Sequence, residues 1–284
     1  MKPLVIYHAN CSDGSSAATC AYQYFGLEAE YYPATHGVSF DCTKVKDREI
    51  YFLDFCYPAE IMKEIKKLAW TLTILDHHKT AEEALRGLSF TGKFDMNKSG
   101  ARLAFDYFVA YTDGTVQQKD KQLEQYINWV QDRDLWQYKL ENTKEINDYL
   151  FSLPAFTIET ADLWLDTLTS MNPSEAISLG AAINKYKTKQ FHLSIERAFK
   201  VKMFDYEVWA TNEANIVSEV AGELAKRGAF GVCFFINEAG KYVYSLRSRG
   251  ENAIDVSELA LTVGGGGHKN AAGCSSIMPL HEKI

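Results

Sequence analysis

The chain has 284 residues, of which 46% are hydrophobic and 24% charged, and its formal net charge is −7. This is the balance of a folded globular protein, and the length exceeds a usual domain of roughly 100–200 residues, so we expect two domains. The negative charge argues against a binding track for long double-stranded nucleic acid, because a polyanion requires a basic surface. A small anionic substrate is compatible with it.

Cysteine usage and hydropathy bear on the compartment. The six cysteines include no Cys-x-x-Cys pair and no dense cluster, so the sequence predicts neither a disulfide framework nor a zinc ribbon. The apolar run before His8 is too short for the hydrophobic region of a signal peptide. No segment approaches the ~20 apolar residues of a membrane helix. We therefore expect a cytoplasmic protein that makes no use of a membrane.

The first third of the chain alternates β-rich runs with helical patterns, which is typical of a parallel α/β sheet covered by helices. In chain order the patterns predict a strand at 4–7, a helix at 15–25, a strand at 50–55, a helix at 58–69 and a strand at 72–75. His8, Asp54 and Asp76 stand at the ends of the three strands. Ligands gather at the carboxyl ends of parallel strands, so we expect these residues to share one site.

The rest of the chain predicts a helical region followed by a second α/β unit. Helices are expected at 99–111 and 119–131, and 159–200 is a largely helical connector. A strand near 206–211, a helix at 214–226 and paired strands at 230–236 and 241–247 follow, with a turn at 237–240. We therefore place one domain with the connector at 1–190 and a smaller domain at 205–284.

Asp76-His77-His78 follows an apolar run, so the trio lies where a strand leaves the core. Imidazole and carboxylate groups are good ligands for manganese, iron or zinc. Two adjacent histidines can also have different roles, one binding a metal and the other contacting a phosphate oxygen. Taken alone, the trio is also compatible with a surface turn that carries two histidines.

Further candidate ligands stand near other element ends. Asp13 opens the helix that follows His8, where backbone amides also favour an anion, and it is equally compatible with a helix cap. Asp54 closes a strand, and Asp132 and Asp134 lie near the end of the helix at 119–131, where a solvated acidic turn is the alternative. The joint pattern of these residues favours a metal site.

A glycine run, 264–267, leads directly into His268, and Arg247 lies at a predicted strand end. Glycine lets backbone amides approach a phosphate closely, although a flexible linker is the alternative. We predict that this region binds substrate. Ser99-Gly100 offers similar amides, but we favour a helix cap there.

These motifs resemble those of the DHH/DHHA1 phosphoesterase family, which contains RecJ-type exonucleases, nano-RNases, cyclic-dinucleotide phosphodiesterases and phosphoadenosine phosphate phosphatases. Asp76-His77-His78 resembles the naming motif, and the run at 264–273 resembles the GGGH signature of the DHHA1 domain. The likeness covers most of the chain. It implies an α/β fold with an N-terminal parallel-sheet DHH domain bearing helices on both faces, a helical connector and a smaller C-terminal α/β DHHA1 domain.

The resemblance also implies roles for single residues. Two divalent metal ions, Mn²⁺ first with Mg²⁺, Co²⁺ or Fe²⁺ as alternatives, would be bound by His8, Asp13, Asp54, His77 and Asp132, with Asp134 as the alternative to Asp132. Asp54 would bridge the ions, His78 would contact the phosphate, and Asp76 would orient its neighbours. Substrate would be bound by Arg247, Gly265, Gly266, Gly267 and His268.

One departure from the family pattern concerns the first motif. Many relatives carry two aspartates there, whereas Asn10, Cys11 and Ser12 precede the single carboxylate of Asp13. Asn10, Cys11 or a water would have to take the place of the missing carboxylate.

The expected function is therefore hydrolysis of phosphodiester or phosphomonoester bonds in short oligonucleotides, cyclic dinucleotides or nucleotides by a two-metal mechanism. Two alternatives stay open: a polyphosphate or pyrophosphate hydrolase, and a non-catalytic relative that binds a nucleotide. The expectation also allows a homodimer.

Overall fold

The computed structural model describes residues 1–110, 115–250 and 252–284, and the chain divides into two compact units, Met1–Asn184 and Lys185–Ile284. The described strands of the first unit are β1 (Leu4–His8), β2 (Glu30–Ala34), β3 (Glu49–Leu53), β4 (Thr71–Asp76) and β5 (Thr91–Phe94). Its helices are α1 (Ser12–Phe25), α2 (Ala59–Leu68), α3 (Lys79–Ala84), α4 (Gly100–Phe108), α5 (Lys121–Asp134), α6 (Thr143–Ser152) and α7 (Ala161–Thr169), and α8 (Pro173–Glu196) contains the boundary.

The strands of the first unit form a parallel sheet in the order β2-β1-β3-β4-β5. Its two faces are both buried, because alternate residues of each strand point to opposite sides. Val5 and Tyr7 pack into a cluster with α1, α4, α5 and α7, whereas Leu4 and Ile6 pack with α2. This confirms the expected α/β fold with helices on both faces of a parallel sheet.

Four elements of this unit fall outside the predicted set: β2, β5, α3 and α6. Both strands lie at the edges of the sheet, where only Ala34 among their residues is buried and the apolar alternation is lost. In α3 no residue is buried, so no apolar face marks it in the sequence. The predicted helix at 99–111 ends at Phe108, and its last predicted residue, Tyr111, lies outside the described residues.

The second unit contains a mixed sheet with helices α9 (Val217–Leu224) and α10 (Val256–Leu261). Its described strands are β6 (Phe199–Met203), β7 (Tyr206–Asn212), β8 (Gly231–Ile236), β9 (Tyr242–Arg247), β10 (Gly266–His268), β11 (Ala271–Ser276) and β12 (His281–Lys283). They lie in the order β10-β11-β9-β8-β7-β6-β12, and among the described strands of this second sheet only β7 and β8 pair in parallel. The last two glycines of the run, Gly266 and Gly267, thus lie in an edge strand, β10, which the sequence did not predict.

Among the helices that the structure describes, none has both the length and the apolar character that crossing a bilayer requires.

Candidate metal centre

The register of the parallel sheet brings the predicted strand-end residues together. Tyr7 pairs with Leu53, and Leu53 pairs with Leu75. Each of these three residues is followed by a polar one. The side chains of His8, Asp54 and Asp76 therefore lie next to one another at the carboxyl edge of the sheet. This is where ligands are expected in an open α/β sheet.

Asp54 lies between two histidines. Its Oδ2 is 3.4 Å from His8 Nδ1, and its Oδ1 is 3.2 Å from His77 Nε2. The Asp54 side chain is only 2% exposed, so these contacts are shielded from water. Each oxygen of one carboxylate thus faces a different imidazole, which is the arrangement expected of a group shared by two cations.

The backbone at Asp54 is shaped for this position. Asp54 has φ 57°, in the left-handed region that aspartate tolerates better than most residues. Gly100 lies directly against it, because a Cβ on Gly100 would be 2.3 Å from the Cβ of Asp54. Glycine at position 100 therefore allows α4 to approach the end of β3.

Asp13 is buried and is held by the first amides of α4. Its Oδ2 accepts a hydrogen bond from Gly100 N at 2.7 Å, and its Oδ1 accepts one from Ala101 N at 2.9 Å. Ser99 caps the same helix as expected, since its Oγ accepts from Arg102 N. The amides that the sequence offered to a phosphate thus bind a carboxylate of the protein. Asp13 Oδ2 lies 3.9 Å from His77 Nε2.

The structure separates Asp132 from Asp134. The first-choice ligand, Asp132, turns away from the cluster: its carboxylate accepts hydrogen bonds from Lys139 N, Leu140 N and Thr143 Oγ1. Asp134 Oδ2 instead lies 3.5 Å from His77 Nε2. Of the two candidates, Asp134 therefore lies beside His77 and Asp13, whereas Asp132 hydrogen-bonds to the segment after α5, and the assignment of a ligand between them stays a prediction.

Asp76 holds the two histidines of its motif. Its Oδ1 accepts from His77 N at 2.7 Å and His78 N at 3.2 Å, and it lies 2.7 Å from His78 Nδ1. Asp76 is fully buried. Because a carboxylate only accepts hydrogen bonds, the His78 Nδ1 is the donor, and the ring orientation is fixed by Asp76.

The donor atoms fall into overlapping groups in which every ligand atom lies within 4.8 Å of the others. One group is His8, Cys11 and Asp54, and a second is Asp13, His77 and Asp134. Asp54, Asp76, His77 and His78 form a further group between them. The imidazole and carboxylate donors suit divalent transition metals, so the residues present fit a metal pair.

The pKa values of the clustered side chains also favour a cation-binding site. Burial, together with the charges of Asp54 and Asp134, raises the pKa of Asp13 well above its usual value, and burial and Asp54 raise that of Asp134. Burial alone would lower the pKa of His77, but its hydrogen bond to Asp54 and the nearby carboxylates raise it to about 10. Burial alone would raise the pKa of Asp54, yet hydrogen bonds from His77 and His8 hold it below its usual value. The carboxylates of the cluster repel one another, so binding of a cation, either a proton or a metal ion, is favourable there.

Sequence reasoning missed His36. Its ring lies 5.4 Å from that of His8 and 4.6 Å from that of Phe55, measured between centroids. His36 follows β2, in which only Ala34 is buried, so no apolar alternation marked the strand in the sequence. A polar residue after a strand would have been the signal, as it was at His8.

In the second unit, contacts within the protein involve several of the predicted substrate-binding residues. Arg247 Nη2 donates to Ser218 Oγ at 2.7 Å, and its Nη1 donates to Leu246 O. A Cβ on Gly265, which precedes β10, would lie 2.3 Å from Gly273 O of β11, and a Cβ on Gly267 in β10 would lie 2.4 Å from Ala271 O. Strand packing therefore accounts for two of the glycines. At Gly266 a Cβ would meet no described atom within 4 Å, and His268 is exposed.

Comparison with known proteins identifies relatives of both units. Residues 202–279 match the family model described as DHHA1 domain. An uncharacterised protein of Acanthamoeba polyphaga mimivirus is 29% identical over 293 residues, which cover 95% of this chain and 66% of that protein. The chain thus spans just under two thirds of the length of this curated relative.

Solved structures share the fold over nearly the whole chain. The pGpG-specific phosphodiesterase PggH from Vibrio cholerae has a TM-score of 0.54 and 14% identity, covering 97% of this chain and 93% of PggH. The DHH domain of a protein described as belonging to a family of ribosomal proteins has a TM-score of 0.56 and 11% identity, covering 96% and 82%. An exonuclease RecJ bound to manganese has a TM-score of 0.51 and 16% identity, covering 96% and 86%. At such identities the likeness establishes the fold alone.

Proposed function

We propose that this chain, whose residues 202–279 match the DHHA1 domain, is a phosphoesterase of the DHH/DHHA1 kind, and that it hydrolyses phosphate esters of short oligonucleotides, cyclic dinucleotides or nucleotides with the help of two divalent metal ions. One observation carries the proposal: the two oxygens of Asp54 face His8 and His77, which belong to two different donor groups. A carboxylate so placed can serve two ions at once.

The residues divide between the two ions. His8 and Asp54 would hold one ion, and Asp13, His77 and Asp134 would hold the other, with Asp54 serving both. When bound, such ions polarise phosphoryl oxygens and lower the pKa of a water, which is the chemistry of phosphate ester hydrolysis. Mn²⁺ is the expected ion, and Mg²⁺, Co²⁺ and Fe²⁺ are the alternatives.

His78 is proposed to contact the phosphate. Burial alone would lower its pKa, but the hydrogen bond and charge of Asp76 raise it, so the imidazolium is favoured near neutral pH. With Nδ1 donating to Asp76, the second ring nitrogen, Nε2, takes the role of donor to a phosphoryl or leaving oxygen. Asp76 is then a positioning residue, which acts through His78.

Substrate selection is assigned to the DHHA1 domain. Arg247, Gly265, Gly266, Gly267 and His268 are the proposed contacts. Gly266 supports this assignment best, because no described atom explains why that residue lacks a side chain.

The test is a substrate panel with Mn²⁺: dinucleotides, cyclic dinucleotides, phosphoadenosine phosphate and polyphosphate. We expect the wild-type protein to hydrolyse at least one nucleotide substrate and Asp54→Asn to reduce this to background. Asp95→Asn is the matched control, because Asp95 follows β5 at the same edge of the sheet, accepts a hydrogen bond from Asn97 N and belongs to none of the three donor groups.

Other outcomes would contradict the proposal. Release of orthophosphate from polyphosphate alone would favour the phosphoanhydride hydrolase. Binding of a nucleotide without turnover at any metal concentration would favour the non-catalytic relative. Unchanged activity in Asp54→Asn would rule out the role given to the shared carboxylate.

A further inference from the structure

Cys11 lies in the first motif, in the stretch before Asp13 where a second carboxylate is absent. Its Sγ, a ring nitrogen of His8 and a carboxylate oxygen of Asp54 all lie within 4.8 Å of one another. Asn10, the other candidate replacement, is exposed, whereas Cys11 is partly buried beside the cluster. The thiol therefore lies close enough to share one ion with His8 and Asp54.

Local structure holds Cys11 in this place. Asn10 has φ 55°, which turns the chain sharply between β1 and α1. Gly14 then lies so close to β1 that a Cβ on it would be 2.1 Å from His8 O. The first turn of α1 is thus packed against the end of β1, and the residue that precedes it, Cys11, is brought beside His8.

The surroundings of Cys11 differ from those of the other cysteines. All six cysteines are in the described residues, and five of them lie in or against hydrophobic clusters: Cys20, Cys42, Cys56, Cys233 and Cys274. Such placement is usual, because a free cysteine packs like a small apolar residue. Cys11 belongs to none of these clusters, and its neighbours are imidazoles and carboxylates. Helix capping does not explain it either, since Ser, Thr, Asp and Asn are the preferred caps.

The two donor groups consequently differ in chemistry. Asp13, His77 and Asp134 offer only nitrogen and oxygen, whereas His8, Cys11 and Asp54 also offer sulfur. Thiolates favour zinc, iron and cobalt, whereas Mg²⁺ and Mn²⁺ prefer oxygen ligands. The two groups should therefore select different ions.

We propose that Cys11 is a metal ligand, and that the His8–Cys11–Asp54 group binds a thiolate-preferring ion such as Zn²⁺, Fe²⁺ or Co²⁺ in preference to Mn²⁺. This rests on the proposed function for the presence of a metal pair. It adds that the pair is chemically unequal and that the sequence departure at Cys11 changes the metal and not the number of ions.

The experiment titrates the reduced, metal-free, full-length protein with Co²⁺ and records its near-ultraviolet and visible absorption. Thiolate ligation produces a sulfur-to-cobalt charge-transfer band, so we expect this band in the wild-type protein. Cys11→Ser and Cys11→Asp should abolish it. Cys42→Ser, which changes a partly buried cysteine outside the donor groups, should retain it.

Competition with Mn²⁺ provides the second measurement. Cys11→Asp restores an oxygen donor, so it should still bind two ions, and its preference for Co²⁺ over Mn²⁺ should fall at least about tenfold relative to the wild-type protein. Circular dichroism of the metal-free variants checks that each one is folded.

The outcomes separate this inference from the proposed function. Two bound Co²⁺ ions with hydrolysis but no charge-transfer band would overturn the role of Cys11 and leave the function standing. A band that persists in Cys11→Ser would assign the sulfur to another cysteine and would also overturn it. Failure to bind any divalent ion would overturn both.

Discussion

Asp76 Oδ1 lies 2.7 Å from His78 Nδ1, and Asp76 is fully buried. The same oxygen accepts hydrogen bonds from the backbone N–H groups of His77 and His78. One buried acceptor therefore sets the direction of the His78 ring and the course of the chain that carries His77.

Asp76→Asn should lower kcat more than it weakens metal binding. The carboxylate of Asp76 orients the His78 ring, and its negative charge stabilises the protonated form of that ring. We expect a loss of about 10–100-fold in kcat, measured by steady-state hydrolysis alongside a metal titration. Asp95→Asn is again the control. A uniform loss of metal binding with unchanged kcat in the loaded enzyme would contradict the positioning role.

Asp132→Asn and Asp134→Asn should have opposite consequences. Asp132 supports the segment after α5, so its replacement should cost about 1–3 kcal/mol of unfolding free energy and leave the number of bound ions unchanged. Asp134→Asn should remove a metal ligand and also relieve repulsion between carboxylates, so the metal-free protein should become no less stable. Thermal unfolding and metal analysis of both variants distinguish the two roles, and an ion lost from Asp132→Asn would reverse our assignment.

Gly100→Ala should damage the centre without touching a ligand. The new Cβ would lie 2.3 Å from Asp54 Cβ, so either α4 or Asp54 must move. We expect about 1–3 kcal/mol of destabilisation and a loss of metal affinity. Gly222→Ala in α9 is the control: no atom lies within 4 Å of its added Cβ, and alanine in a helix should be neutral or stabilising. Wild-type metal affinity in Gly100→Ala would show that the close approach is unimportant.

Metal binding should strengthen as pH rises. The metal-free His77 has a pKa raised from 6.5 to about 10, so protonated His77 favours the folded protein fully below 6.5, and this contribution is lost as pH rises through about 10. The raised pKa values of Asp13 and Asp134 act in the same direction. An incoming ion must displace these protons, so affinity should rise by up to about tenfold per pH unit for each proton released.

Unfolding with and without Mn²⁺, compared at several pH values between 6.5 and 10, measures this linkage. The stabilisation by Mn²⁺ should grow across the series, and His77→Gln should show a shallower dependence. A metal-induced stabilisation that does not change with pH would contradict the description of the cluster as a proton-holding site.

Gly266→Ala tests the glycine run. It should fold with normal stability, because the added Cβ meets open space, and it should raise KM if substrate approaches the strand there. Gly265→Ala should instead destabilise the second unit, since its Cβ would lie 2.3 Å from Gly273 O. A wild-type KM in Gly266→Ala would remove this position from the proposed substrate contacts.

Sequence patterns were most informative where an apolar run ended in a polar residue. His8, Asp54 and Asp76 could be placed at one edge because parallel strands have a single carboxyl edge, and the register joined them. The pattern could not separate Asp132 from Asp134. The chain after α5 turns through left-handed residues, Trp136 and Tyr138, which no composition rule anticipates, and this turn brings the amides of residues 139 and 140 back to Asp132.

Other features were hidden because they depend on contacts between distant segments. The exposed edge strand β2 has no apolar alternation, so His36 after it was not linked to His8. The sequence predicted no strand at the glycine run because four glycines have no side-chain pattern, although two of them are required by packing against β11.

The hydrogen bonds from Gly100 N and Ala101 N to Asp13 join segments 87 and 88 residues apart in the sequence. These two amides can exchange with solvent only when α4 leaves the carboxylate, so their hydrogen–deuterium exchange rates report how often the centre opens. Slower exchange on addition of metal would show that α4 docking and ion retention are one cooperative event, and that the ions leave through local unfolding of this helix end.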